Sequence, residues 1–153
     1  MFNIVLYEPE IPPNTGNILR LCANTGAHLH LIHPLGFDMD DKSLRRAGLD
    51  YIDNDIVHHY DNYQDYLKQT PDANSYAIST KGSSQYNHCK FMPNDHFIFG
   101  PETRGLPDNI RNAFDKEKIL RIPMLESSRS INLCNSVSII LYEAWRQQDF
   151  REA

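Results

Sequence analysis

The chain has 153 residues, 41% of them hydrophobic and 23% charged, with a formal net charge of −5. That length suits one domain over 1–153 with a sizeable core and is short for two. The acidic balance excludes a surface coated in phosphate-binding cations, though it allows a local basic cluster.

Phe2 to Tyr7 is an apolar run bounded by Pro9, Pro12 and Pro13, which predicts a buried first strand. Asn14 then stands where an N-cap is expected, and the helix runs to Asn24-Thr25-Gly26, with Gly26 as its C-terminal stop. Ile18, Leu21 and Cys22 can face the core, while Asn17, Arg20 and Asn24 share a polar face. His28 to His33 alternates and reads as a second strand. Asp40 to Gly48 is a short helix, acids first and bases last. Ile56 to Tyr60 reads as a strand, Asn62 to Gln69 as a helix and Ser75 to Thr80 as a strand followed by a loop over Lys81 to Ser84. His96 to Phe99 is another strand, broken at Gly100-Pro101. A short helix from Pro107 to Phe114, a strand from Lys118 to Ile122 and a helix from Ile131 to Gln148 follow. The last helix carries the apolar stripe Leu133, Val137, Ile140, Leu141 and Ala144. Alternating strands and helices imply an α/β domain with a mostly parallel sheet flanked by helices.

Three polar loops, each after a predicted strand, carry the chemistry. Asn14-Thr15-Gly16-Asn17 opens a helix, where free N–H groups favour anions, and Arg20 lies less than two turns on. Gly100 to Leu106 holds an acid, a hydroxyl, a base and a second glycine, and loops at strand ends are where open α/β sheets bind ligands. Ile122-Pro123-Met124 is followed by polar residues from Ser127 to Asn135. An N-cap with a solvated Arg, a turn with a surface Glu–Arg pair and a capped loop are the plain alternatives. Neither a P-loop nor the dinucleotide glycine fingerprint is present. Cys22, Cys89 and Cys134 have no C-x-x-C spacing, and reduced cytoplasmic thiols are the expected state. The histidines lack metal-ligand spacing and read as core or surface residues, so no metal is expected. The N-terminus has no basic leader region, and no apolar run reaches the roughly 20 residues of a membrane span.

The segments NTGNILR (14–20), FGPETRGL (99–106) and IPM with SINLCN (122–124 and 130–135) resemble, in order, the three motifs of the SPOUT (SpoU-type) RNA 2′-O-methyltransferases. The similarity covers nearly the whole chain. It is closest to the minimal subgroup that modifies the wobble pyrimidine, position 34, of tRNA. Cys134 stands where that pattern has a serine.

The resemblance implies a C-terminal deep trefoil knot, a homodimer, and S-adenosylmethionine as cofactor. The cofactor would be held by Ile78, Thr80, Gly100, Glu102 and Gly105, and by Ile122, Met124, Ser130 and Leu133. The substrate would be a tRNA anticodon stem-loop, with leucine isoacceptors as the family expectation. Arg20, Asn14, Glu102, Ser130 and Asn132 would form the catalytic set, and Arg20, Lys42, Arg45, Arg46 and Arg129 would contact RNA. Arg20 would favour the forming alkoxide, since guanidinium does not normally give up its proton. Glu102 would orient Arg20 or Arg104, or take the proton. The rival readings are an RNA-binding assembly protein of the same fold without chemistry, a methyltransferase on another RNA or on a base, and a small-molecule-binding module.

Overall fold

A computed structural model describes residues 1–48 and 55–152. Its strands are β1 (Asn3–Tyr7), β2 (His28–Ile32), β3 (Val57–Tyr60), β4 (Ser75–Ile78), β5 (Ser84–Gln85), β6 (His96–Phe99) and β7 (Ile119–Arg121). Its helices are α1 (Pro12–Thr25), α2 (Lys42–Gly48), α3 (Tyr63–Gln69), α4 (Asp108–Arg111) and α5 (Leu133–Arg146). The strands form one sheet in the order β3-β2-β1-β6-β4-β7-β5. Every pairing is parallel. β6 is inserted between β1 and β4, and β7 lies between β4 and the edge strand β5.

Both faces of the sheet are covered, as an all-parallel sheet requires. On one face Ile18, Leu19 and Cys22 of α1 and Val137, Ile140 and Leu141 of α5 pack against Ile4, Leu29 and Phe97. On the other, Tyr66 of α3 and Ile110 of α4 pack on Val5, Ala77 and Ile98. Leu19 joins the core, and Leu21, predicted to face it, is half-buried at its edge.

Two local expectations are corrected. Asn14 is not the N-cap of α1: the cap is Ile11, which makes no side-chain cap, and Pro12 and Pro13 occupy the first helical positions. Prolines suit those positions because their missing N–H would be unpaired there. The loop predicted over Lys81 to Ser84 ends in β5, too short and polar for its sequence to mark as a strand. Gly26 ends α1 with φ 69°, as expected.

The histidines of β2 and β3, read as core or surface residues, are divided: His30 is buried, His28 and His58 are half-buried and His59 is exposed. His30 and His96 of β6 are the buried members of a polar layer with aromatic neighbours. His30 Nδ1 lies 2.8 Å from the Tyr60 hydroxyl and Nε2 lies 3.0 Å from Asn3 Oδ1. His96 Nδ1 lies 2.8 Å from the Tyr66 hydroxyl, and His28 is bonded to His58 at 2.9 Å. Among the described residues, no group of three or more His, Cys, Asp or Glu is arranged to hold a metal ion. No described helix is long and apolar enough to cross a membrane.

Candidate active site

The C-terminal ends of β4, β6 and β7 open into a cavity of about 350 Å³. This is the edge at which open parallel sheets bind ligands. Its apolar wall is built by Ile78, Ile122 and Leu133, and Met124 lines it too. Thr80 and Ser130 bring hydroxyls to its polar side. Gly100, Glu102 and Gly105 belong to the loop after β6, which forms a further wall with Thr103 and Arg104. Arg129 also reaches the cavity.

The loop after β6 folds back on its own strand end. The Gly105 N–H donates to the Pro101 carbonyl at 2.9 Å, and Gly105 has φ +67°, a left-handed conformation suited to glycine. A Cβ on Gly100 would lie 2.1 Å from Leu106 N and 2.3 Å from the Gly105 carbonyl carbon. Only glycine allows this crossing, and the crossing sets the cavity's floor.

Glu102 has a partner set that the sequence did not reveal. Its carboxylate accepts from the Glu10 N–H at 2.7 Å, the Ile11 N–H at 3.0 Å and the Asn14 amide at 3.3 Å. It therefore ties the segment that enters α1 to a distant loop. Among the described residues it bonds neither Arg20 nor Arg104, so the expected pairing with either is corrected. Arg104 pairs instead with Glu8 at 2.7 Å. Asn14 Oδ1 accepts from the Asn132 amide at 3.1 Å. Asn132 in turn N-caps α5 through the Asn135 N–H at 3.2 Å. Glu102, Asn14 and Asn132 thus form one chain of hydrogen bonds from the loop after β6 to the start of α5.

Arg20 is exposed on α1, lies outside the cavity wall and makes no hydrogen bond among the described residues. Lys42, Arg45 and Arg46 are exposed on α2, which packs against α1. Arg45 is bonded to Asp40 at 2.6 Å, and among the described residues Lys42 and Arg46 make no ion pair. Sequence reasoning missed Glu8, Glu10 and Thr103. Thr103 donates to Glu10 Oε1 from its N–H at 3.1 Å and its hydroxyl at 2.7 Å. These bonds hold the Glu10 carboxyl below its ordinary pKa. The two acids flanking Pro9 were the available signal.

The model of the SpoU rRNA Methylase family matches residues 1–142. A tRNA (cytidine(34)-2′-O)-methyltransferase of Methylovorus glucosotrophus is 52% identical, the match covering 100% of this chain and 99% of that protein. One of the same name from Escherichia coli K12 is 54% identical over 147 residues, covering 96% and 94%. A solved structure from work on the 2-OH methylation of C/U34 on tRNA is 40% identical with a TM-score of 0.92, covering 99% and 98%. A family-wide match and identities above half along the full chain leave no other assignment: this protein belongs to the SpoU methylase family.

Proposed function

We propose that this chain transfers a methyl group from S-adenosylmethionine to the ribose 2′-OH of the pyrimidine at position 34 of tRNA, with S-adenosylhomocysteine as the leaving group and the hydroxyl proton passing to solvent. It works as a cytoplasmic homodimer gripping the anticodon stem-loop, with leucine isoacceptors as substrates and the knotted C-terminal path of its family. One observation carries the reading. Ile78, Thr80, Gly100, Glu102, Gly105, Ile122, Met124, Ser130 and Leu133 come from separate segments of the chain and line a single cavity.

The cavity suits the cofactor. An adenine is an apolar plate with polar edges, which fits Ile78, Ile122 and Leu133 beside strand-end backbone. S-adenosylmethionine has no phosphate, so no glycine-rich phosphate loop is needed. When bound, it supplies a methyl group activated on a sulfonium.

The chain's own residues position the acceptor. The Arg20 guanidinium holds the acceptor's phosphate or hydroxyl outside the cavity and favours the developing alkoxide, a fork suited to oxyanions. Ser130 stands at the cavity edge as a hydroxyl partner for the acceptor. Glu102 already accepts three hydrogen bonds, and we assign it with Asn14 and Asn132 to positioning rather than proton removal. Most of the acceleration comes from holding the two substrates in line. Lys42, Arg46 and Arg129 supply phosphate contacts.

The test is methyl transfer from labelled S-adenosylmethionine to total tRNA from a strain lacking this gene, followed by nucleoside mapping. Label in a 2′-O-methylated pyrimidine at position 34 is the expected result. Cofactor binding without label would move the search to another RNA. Neither binding nor label would favour the non-catalytic assembly protein. Near-normal turnover in both Arg20→Ala and Arg20→Lys would remove Arg20 from the mechanism, and a monomer by light scattering would remove the dimer.

A further inference from the structure

Residues 102–104 form part of the cavity wall, yet they are anchored away from it. Among the described residues, all side-chain hydrogen bonds of Glu102, Thr103 and Arg104 go to the segment from Glu8 to Asn14. Thr103, Arg104 and Gly105 are exposed, so no apolar packing fixes this part of the loop. Its position depends on those bonds.

The segment that receives them is firmly held. The Glu8 N–H donates to the Ile32 carbonyl at 3.0 Å, and the Gly36 N–H to the Pro9 carbonyl at 2.9 Å. The backbone at Gly36 approaches so closely that a Cβ there would lie 2.9 Å from Glu10 Cα. Glu8 has φ 46°, a left-handed conformation that a residue with a Cβ holds only when its surroundings impose it. Three carboxylates meet here, and each is answered by donors from the opposite segment. The exchange is reciprocal: Glu10 donates its N–H to Glu102 and accepts from Thr103.

We propose that Glu10 is a positioning residue for the cofactor subsite, its carboxylate holding the loop 101–105 against the cavity through the Thr103 N–H and hydroxyl. The Glu8–Arg104 pair is a second tie on the same loop. The inference rests on the proposed function in one respect only, the identity of the molecule that the loop encloses. Glu10 does not itself line the cavity and acts only through Thr103, so its effect falls on cofactor affinity and not on the chemical step.

Glu10→Ala and Glu10→Gln, each in the full chain, test this. Glu10 is half-buried, so urea unfolding of each variant accompanies the binding measurement and separates loss of the tie from loss of the fold. Glu10→Ala speeds amide hydrogen exchange over residues 100–106 in the ligand-free protein. It weakens S-adenosylhomocysteine binding by calorimetry roughly tenfold or more, since two hydrogen bonds to a charged acceptor are lost. KM for the cofactor rises with it while kcat changes little. Glu10→Gln keeps an acceptor oxygen facing Thr103 and stays near wild type. Wild-type exchange and affinity in Glu10→Ala would overturn the proposal, as would Glu10→Gln losing as much as Glu10→Ala. A wild-type chain that binds no S-adenosylhomocysteine would refute the cofactor assignment, and the exchange rates of 100–106 would still decide whether Glu10 holds the loop.

Discussion

Acidification strikes the buried polar layer of the sheet before it touches the site. His30 is 6% exposed. Asn3 Oδ1 can only accept, so His30 Nε2 carries the proton, and Nδ1 accepts from the Tyr60 hydroxyl. Both ring nitrogens are satisfied with the ring neutral. Burial, with His96, His58 and His28 around it, brings the His30 pKa down from 6.5 to about 3. Burial brings His96 down to about 4. The unfolded chain therefore takes up protons below pH 6.5 that the folded chain refuses until about pH 3 to 4. Stability from these groups is complete above their unfolded pKa and is lost as the pH falls through that window. Each group removes about 1.36 kcal/mol per pH unit, so at pH 5 the pair together costs roughly 4 kcal/mol. That is a large share of the ~5–15 kcal/mol typical of a folded domain. His58 and His59, also held low by burial, act in the same direction. Urea unfolding at fixed chain concentration from pH 7.5 to 5 reads the effect as a falling midpoint, with a slope of about two protons near pH 5. His96→Gln reduces that slope to about one. Stability that stays flat from pH 7 to 5 would refute the reasoning, and so would a His30 ring that titrates near its ordinary pKa in the folded protein.

The site yields predictions with separate readouts. Gly100→Ala places a Cβ 2.1 Å from a backbone nitrogen that cannot rotate away. The loop after β6 must shift, at about 1–3 kcal/mol, and S-adenosylhomocysteine affinity is lost with it; unchanged affinity by calorimetry would show that the crossing does not shape the cavity. Glu102→Gln turns one oxygen into an amide facing an N–H of Glu10, Ile11 or Asn14. It lowers the unfolding free energy by about 1–3 kcal/mol in urea, and a neutral result would mean that this tie to the entry of α1 is dispensable. Asn132→Ala removes the α5 cap and the bond to Asn14. Tm falls by about 2–4 °C for a cap worth about 1 kcal/mol, and an unchanged Tm would place the cap elsewhere.

Much of the fold was legible because its signals are local. An apolar run of β-favouring residues marks β1 and β6, and the 3.6-residue stripe of α5 names the residues that are buried. Histidines in β2 and β3 were harder. Alternation along a strand reports two faces, but whether a face is covered depends on α3, which comes from elsewhere in the chain. The cavity residues were read from motif resemblance, and the structure brings them to one place. Spacing alone would not have joined Ile78 to Leu133, because nothing local encodes the sheet order.

By itself, the sequence determined most of the strands and helices, the glycine that ends α1, and which polar loops follow strands. These depend on backbone sterics and on the burial of apolar periods within a few residues. Only the tertiary structure decided what the charges do. Glu102 reads in sequence as a partner for Arg104 or Arg20 or as a proton acceptor, yet it bonds the entry of α1, while Arg104 bonds Glu8. Such pairings join residues about ninety positions apart, and they exist because β6 is inserted beside β1 and brings two loop ends together. A carboxylate's role is set by the donors within hydrogen-bond reach, and that distance is a property of the folded chain alone.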